Sequence, residues 1–165
     1  MHGAAYIPDM TTSPLTAVVT AVDHVGIAVP DLDAAIAFHT SVLGLELLHR
    51  EDNLEQGVAE AMLAPPDGVT GAQLQLLAPL SEHSTLARFL ERSGPGLQQL
   101  AFRVEDIDHA ASVLRGKGLR LLYDAARTGT GGSRINFVHP KDTGGVLIEL
   151  VQAASAVERM EAGHS

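Results

Sequence analysis

The sequence predicts an α+β fold made of two tandem βαβββ modules, and two observations carry that expectation. The first is an internal repeat. His24-Val25-Gly26-Ile27-Ala28-Val29-Pro30-Asp31-Leu32-Asp33 aligns with Gln99-Leu100-Ala101-Phe102-Arg103-Val104-Glu105-Asp106-Ile107-Asp108 at a shift of 75 residues, and Gly44–Leu48 aligns with Gly118–Leu122 at a shift of 74. Two blocks at nearly one shift, in the same order, mark a duplicated unit. The second is hydrophobic period, which changes from two residues to about 3.6 at the same place in both copies.

Each module opens with a strand. Val25, Ile27 and Val29 alternate with His24, Gly26 and Ala28, as Leu100, Phe102 and Val104 alternate with Gln99, Ala101 and Arg103. A helix follows. Asp31 and Asp106 are natural N-caps, and Leu32, Ala35, Ile36 and Leu43 recur at helical spacing. Gly44, and Gly116 or Gly118, fit the stops. Short β-type segments come next: Leu45–His49, Gly57–Ala64 and Ala72–Leu77, then Leu119–Tyr123, Arg134–His139 and Val146–Val151. A third helix, Thr85–Ser93, links the modules and is halted by Gly94-Pro95. The expected organisation is a flexible N-terminal tail (1–21), a single domain (22–152) and a C-terminal tail (153–165). Within the domain lie module one (22–79), a linking helical segment (80–96) and module two (97–152). Ser155–Ser165 reads as a helical turn or two.

Composition narrows the chemistry. With 11 Lys+Arg against 20 Asp+Glu, the 165-residue chain carries a net charge of −9, which disfavours nucleic acid and anionic membranes. The absence of Cys excludes disulfides, thiolate metal sites and a Cys nucleophile, and with no Trp and 4% aromatics base-stacking modules are disfavoured. Neither a signal peptide nor a run long enough to span a bilayer is evident, so cytoplasm is the default. The Gly-rich run Gly129–Ser133 lacks the Lys of a phosphate loop.

Strand alternation assigns the candidate site. His24 and its repeat-mate Gln99 point away from the helices, as do Gln75 and Glu149, which are related by a shift of 74. A lone strand His is more often a surface or satisfied core residue than a ligand, and Gln75 or Gln99 alone reads as a hydrogen-bonding residue. Duplication joins them, because two modules meeting face to face bring all four together. Glu149, flanked on its own face by Leu147 and Val151, needs a partner, a metal or a proton. Glu60 shares a face with Val58 and Met62, where desolvation raises a carboxyl toward the range of a general base; alternation alone favours a solvent-facing residue instead. His39 falls near the buried face of the first helix, while His49, His83 and His109 look like surface positions. His139 ends a strand.

Over residues 22–152 the chain resembles the vicinal oxygen chelate superfamily, which includes glyoxalase and bleomycin-resistance proteins. It is similar in particular to the methylmalonyl-CoA epimerases. The resemblance rests on Asp23–Ala28, Glu55–Glu60, Gln73–Leu80, Arg134–Lys141 and Asp142–Leu150. It implies a cup-shaped sheet, a homodimer and an acyl-CoA thioester substrate epimerised at C2. A divalent metal (Co, Mn, Mg or similar) would be held by His24, Gln75, Gln99 and Glu149 and would stabilise an enolate. Gln99 stands where those epimerases carry His, and Gln98 also replaces a His, which leaves an oxygen-rich set suited to hard ions such as Mg²⁺ or Mn²⁺. Glu60 and Glu149 would be the two acid/base groups. Because CoA thioesters are polyanions, Arg134 and Lys141 are candidate cations to offset the −9 charge. Two alternatives remain at this point: a relative acting on another biosynthetic substrate with little or no metal dependence, and a non-catalytic ligand-sequestering protein.

Overall fold

The computed structural model describes residues 18–66 and 71–155. One curled, eight-stranded mixed sheet carries three helices. The strands are β1 (Ala21–Ala28), β2 (Glu46–Asn53), β3 (Val58–Ala64), β4 (Gln73–Pro79), β5 (Gly96–Arg103), β6 (Arg127–Thr128), β7 (Arg134–Val138) and β8 (Leu147–Gln152). The helices are α1 (Leu32–Ser41), α2 (Thr85–Ser93) and α3 (Ile107–Gly116). The strand order is β2-β3-β4-β1-β5-β8-β7-β6. Each module pairs its first strand in parallel with its last, and the modules join where β1 and β5 run antiparallel at the centre. The repeat therefore becomes a pseudo-symmetric sheet whose middle is the junction.

Caps start the helices where the sequence placed them. The Asp31 carboxylate accepts the Ala34 N–H, and Asp106 accepts those of Asp108 and His109. On the outer face, α1 packs Leu32, Ala35 and Ile36 onto Val29, Ala61, Leu63 and Leu76. Likewise α3 packs Ile107, Ala110 and Leu114 onto Val104 and Leu150. Meanwhile α2 lays Leu86, Phe89 and Leu90 against Ala28, Val58 and Leu77, which line the inner face, and so closes one end of the cup.

Four expectations change. The helix α1 stops at Ser41, so Leu43 lies 57% exposed beyond it rather than in the core. Gly118 (φ +83°), not Gly116, takes the left-handed turn after α3. Leu119–Tyr123 is not a strand: only a bridge from Leu121 to Val138 forms, and the pairing strand is the short β6. Side chains replace the missing ladder, since Asn136 bonds both the N–H and the C=O of Tyr123 and Arg115 donates to the carbonyls of Tyr123 and Asp124. Finally, the expected tail is too long by several residues. Thr20 donates its N–H to the Arg103 carbonyl, Ala21 pairs with Arg103, and Val18 packs beside Val104. The remaining tail expectations, for 1–17 and 156–165, lie outside the described residues.

Candidate active site

The inner face of the sheet gathers five of the singled-out polar groups into one chain of hydrogen bonds. His24, Glu60, Gln75, Gln99 and Glu149 are all buried. Gln99 Nε2 donates to Glu149 Oε2 at 2.7 Å and to Gln75 Oε1 at 3.0 Å. Gln75 Nε2 donates to Glu60 Oε2 at 2.9 Å, and His24 Nε2 donates to Glu149 Oε2 at 3.1 Å. The two carboxylates, Glu60 from module one and Glu149 from module two, are thus tied through two amides across the module junction. Facing this chain is a cavity of about 330 Å³ lined by His24, Met62, Arg103, Thr130, Glu149 and Val151, among others.

Glycine 26 makes the junction possible. It pairs with both Gln75 and Gln99, and a Cβ there would meet Gln99 Cγ at 2.5 Å. Gly26→Ala is expected to push Gln99 off Gln75 and Glu149 and to cost about 1–3 kcal/mol, read as a lower midpoint in denaturant.

Electrostatics divide the site. The Glu60 carboxyl, 2% exposed, is pushed up to about 7, first by burial and then by the neighbouring Glu51 carboxyl, against the lowering effect of the Thr130 hydrogen bond. His24 behaves oppositely. Burial works against its charged form, but Asp23 (2.9 Å from Nδ1) and Glu149 outweigh it and raise the imidazole to about 9. With a carboxylate at each ring nitrogen, His24 is held as a donor on both sides. The two carboxylates therefore favour positive charge at that point.

Several site residues escaped the sequence reading. Asp23 is the extra residue of a bulge between Val22 and His24, which turns it toward its neighbour's ring instead of the opposite face. Arg103 grips it from β5 at 2.9 Å. Thr130, in the 3₁₀ turn Thr130–Gly132, donates to Glu60 Oε1 at 2.6 Å. That turn crosses the cup because Gly129 lies so close to β7 that a Cβ would meet Ile135 Cγ2 at 2.5 Å. The Gly-rich segment thus serves close approach rather than phosphate. Glu51 sits directly across from Glu60 in the β2–β3 pairing; the register set by the turn after Asn53 was its available signal. Arg134, by contrast, does not serve the cup. It is paired at 2.9 Å with Asp108 on α3, and the cation at the cup is Arg103. Lys141 is exposed in a 3₁₀ turn, and His139 caps that turn by accepting the Lys141 N–H.

Residues 23–137 match the Glyoxalase/Bleomycin resistance protein/Dioxygenase superfamily. The chain is 54% identical to the methylmalonyl-CoA epimerase of Mycobacterium tuberculosis, covering 88% of this chain and 95% of that one with a TM-score of 0.82. The chain belongs to the methylmalonyl-CoA epimerase family. Another member is a Streptomyces coelicolor methylmalonyl-CoA epimerase variant in complex with 2-nitronate-propionyl-CoA: 47% identity, 83% of this chain and 99% of that one, TM-score 0.79. A third, the ethylmalonyl-CoA/methylmalonyl-CoA epimerase of Cereibacter sphaeroides, is 38% identical over 79% of this chain and 96% of its own length. The family's cup-shaped sheet is the sheet seen here. Among the described residues, no helix is long and apolar enough to cross a membrane.

Proposed function

We propose that this protein interconverts the epimers of methylmalonyl-CoA, or of a close 2-alkylmalonyl thioester, by proton transfer at C2. The observation that carries this reading is the linking of two buried carboxylates, Glu60 and Glu149, one from each module, through the Gln75 and Gln99 amides, beside a cavity lined by Glu149, Met62 and Val151. A 2-substituted malonyl thioester loses its C2 proton to give a planar enolate, and inverting that carbon needs an acid/base group on each face. The nitronate on which the Streptomyces relative was solved is likewise planar at carbon. A sequestering protein has no use for a carboxyl held near neutrality, which speaks against the non-catalytic alternative.

In this reading Glu60 takes or returns the proton on one face. Thr130 Oγ1 and Gln75 Nε2 each hold one of its oxygens, which fixes the carboxylate's aim. Glu149 serves the other face. Asp23, clamped by Arg103, fixes the His24 ring. Burial in the cup excludes water from the developing charge.

The donor set fits a divalent cation. Among the described residues no group of three His, Cys, Asp or Glu side chains is placed to hold a metal ion, so this reading takes the Gln75 and Gln99 amides as two of the ligands. The polar ends of the four side chains converge on one point: Gln99 Nε2 lies 2.7 Å from Glu149 Oε2 and 3.0 Å from Gln75 Oε1, and His24 Nε2 lies 3.1 Å from Glu149 Oε2. His24 Nε2, Gln75 Oε1 and a Glu149 oxygen face that point, and turning the Gln99 amide over adds its carbonyl. A bound ion would polarise the thioester and carboxylate oxygens and spread the enolate's charge. Gln99→His is expected to tighten metal binding, on the order of tenfold, because imidazole is the stronger donor for transition metals; calorimetric titration of Mn²⁺ or Co²⁺ into both proteins measures it.

A homodimer is also proposed, supported by the exposed apolar residues Phe38, Val42, Leu43 and Leu47 at the α1–β2 edge. A cytoplasmic location remains our reading of the sequence. The deciding experiment pairs metal analysis of the purified protein with NMR of C2 deuterium exchange on methylmalonyl-CoA. Exchange that depends on bound metal is the expected result. Exchange without metal favours the metal-independent relative, and no exchange overturns the epimerase reading.

A further inference from the structure

We propose that a second cavity in the cup receives the arm of the substrate's thioester, and that Gln98 accepts a hydrogen bond from the first amide N–H of that arm. This rests on the epimerase reading and assigns the residues that hold the substrate beyond its reacting carbon.

The second cavity, of about 260 Å³, is lined by Val58, Leu77, Gln98, Tyr123, Phe137 and Leu147, among others. On β3 and β4 it takes Val58 and Leu77 where the first cavity takes Met62 and Gln73, so Glu60 and Gln75 lie between the two. The duplication relates them. Gln98 and Phe137 are the repeat-mates of Asp23 and Met62 at a shift of 75, and Tyr123 and Leu147 are those of His49 and Gln73 at a shift of 74. The fold thus builds one cavity at each end of the cup, and the side chains make the ends unlike. Asp23, His49 and Gln73 at one end stand against Gln98, Tyr123 and Leu147 at the other. At the rim of the second cavity Leu122 is 45% exposed, and Glu55 is paired with Arg127 at 3.5 Å. Its wall is fixed. Asn136 holds the Tyr123 backbone, and the Tyr123 ring meets Phe137 edge-on at 5.9 Å and carries the Arg127 guanidinium at 3.9 Å.

Gln98 reaches this end through a bulge. The β1–β5 pairing passes from Gly26–Gln99 to Ile27–Leu97, which leaves Gln98 as the extra residue and lets it line the same cavity as Gln99. The equivalent bulge at Asp23 supplies a carboxylate that His24 and Arg103 both engage. Gln98 differs, because among the described residues its Oε1 is buried with no hydrogen-bond partner. An unpaired buried amide oxygen is unfavourable, so stability does not account for it, whereas a ligand that brings an N–H does.

A CoA thioester brings that group. Its arm consists of methylenes interrupted by amides, and the first amide nitrogen follows the sulfur by two methylenes, roughly 4 Å. With the thioester carbonyl beside Gln99, that N–H falls about one residue farther along β5, where successive Cα atoms are about 3.8 Å apart. The methylenes then lie against Leu77, Phe137 and Leu147.

The test compares kcat/KM for C2 deuterium exchange on two methylmalonyl thioesters of equal length. The N-acetylcysteamine ester keeps the amide, and the S-pentyl ester lacks it. Wild type is expected to prefer the first by about tenfold or more. In Gln98→Met, which keeps the side chain's length without its oxygen, that preference is expected to fall about tenfold, and Gln98→Glu, which keeps an acceptor, is expected to retain it. The ratio of two substrates on one enzyme is not moved by partial unfolding or weaker metal binding, which lower both rates alike. Leu122→Trp narrows the rim and is expected to lower kcat/KM for methylmalonyl-CoA about tenfold more than for the S-methyl thioester. No preference in wild type, a preference that Gln98→Met leaves intact, or an equal loss on both esters in Leu122→Trp overturns the assignment of the arm, while exchange itself upholds the epimerase reading. No exchange on methylmalonyl-CoA by wild type overturns that reading, and the arm assignment with it.

Discussion

Glu60→Gln is expected to lower deuterium exchange at C2 by about two to four orders of magnitude while leaving the protein folded. The amide keeps the shape and can still engage Thr130 and Gln75, but it cannot accept a proton from carbon. A stability readout accompanies the loss. Folding raises the Glu60 carboxyl from 4.5 to about 7, so the native state binds that proton more tightly than the unfolded chain does. Its contribution is fully present below pH about 4.5 and is lost as pH rises through about 7. Above pH 7 a buried negative charge opposes folding, and Gln removes it. Compared with wild type, the Tm of Glu60→Gln is therefore expected to improve between pH 5 and pH 8. For the wild-type enzyme, kcat/KM is expected to rise through pH about 7 as Glu60 ionises, and a flat profile there would count against Glu60 as the base.

Glu149→Gln is expected to abolish epimerisation to a similar extent, with the opposite effect on stability. Glu149 is the partner of His24, and both are buried. Removing one member of a buried ion pair leaves the other charge uncompensated, typically at about 3–5 kcal/mol. Asp23, still at 2.9 Å from Nδ1, moderates that loss but does not cancel it. The carboxylate is also the one anionic donor of the four-residue set, so retained divalent metal is expected to fall, as elemental analysis will read. Two Glu→Gln changes in one pocket thus give the same loss of activity and opposite shifts in Tm above pH 7. Equal shifts would contradict the division of charge described for the site.

Much of this site was legible before any coordinates. His24 and Gln99 occupy repeat-related places, as do Gln75 and Glu149, and alternation turned all four to one face. Once β1 and β5 pair at the centre of the sheet, those positions have to meet. What alternation did not settle was which inner-face polar group lies buried. It favoured a solvent-facing Glu60, yet the 3₁₀ turn at Thr130, 70 residues away in sequence, covers that carboxyl. Arg134 was misjudged for a related reason, since its side chain finds Asp108 on α3 instead of the cup.

The sequence by itself determined the duplicated βαβββ modules, the helix caps, the four inward polar positions and the exclusion of thiolate chemistry. All of these follow from local period, residue type or repeat symmetry. The tertiary structure alone decided how charge is distributed: His24 raised to about 9 between Asp23 and Glu149, Glu60 raised to about 7 beside Glu51. The reason is physical. A side chain's period is set by its own strand, but its ionisation is set by burial and by neighbours brought from a bulge, a paired strand or a distant turn.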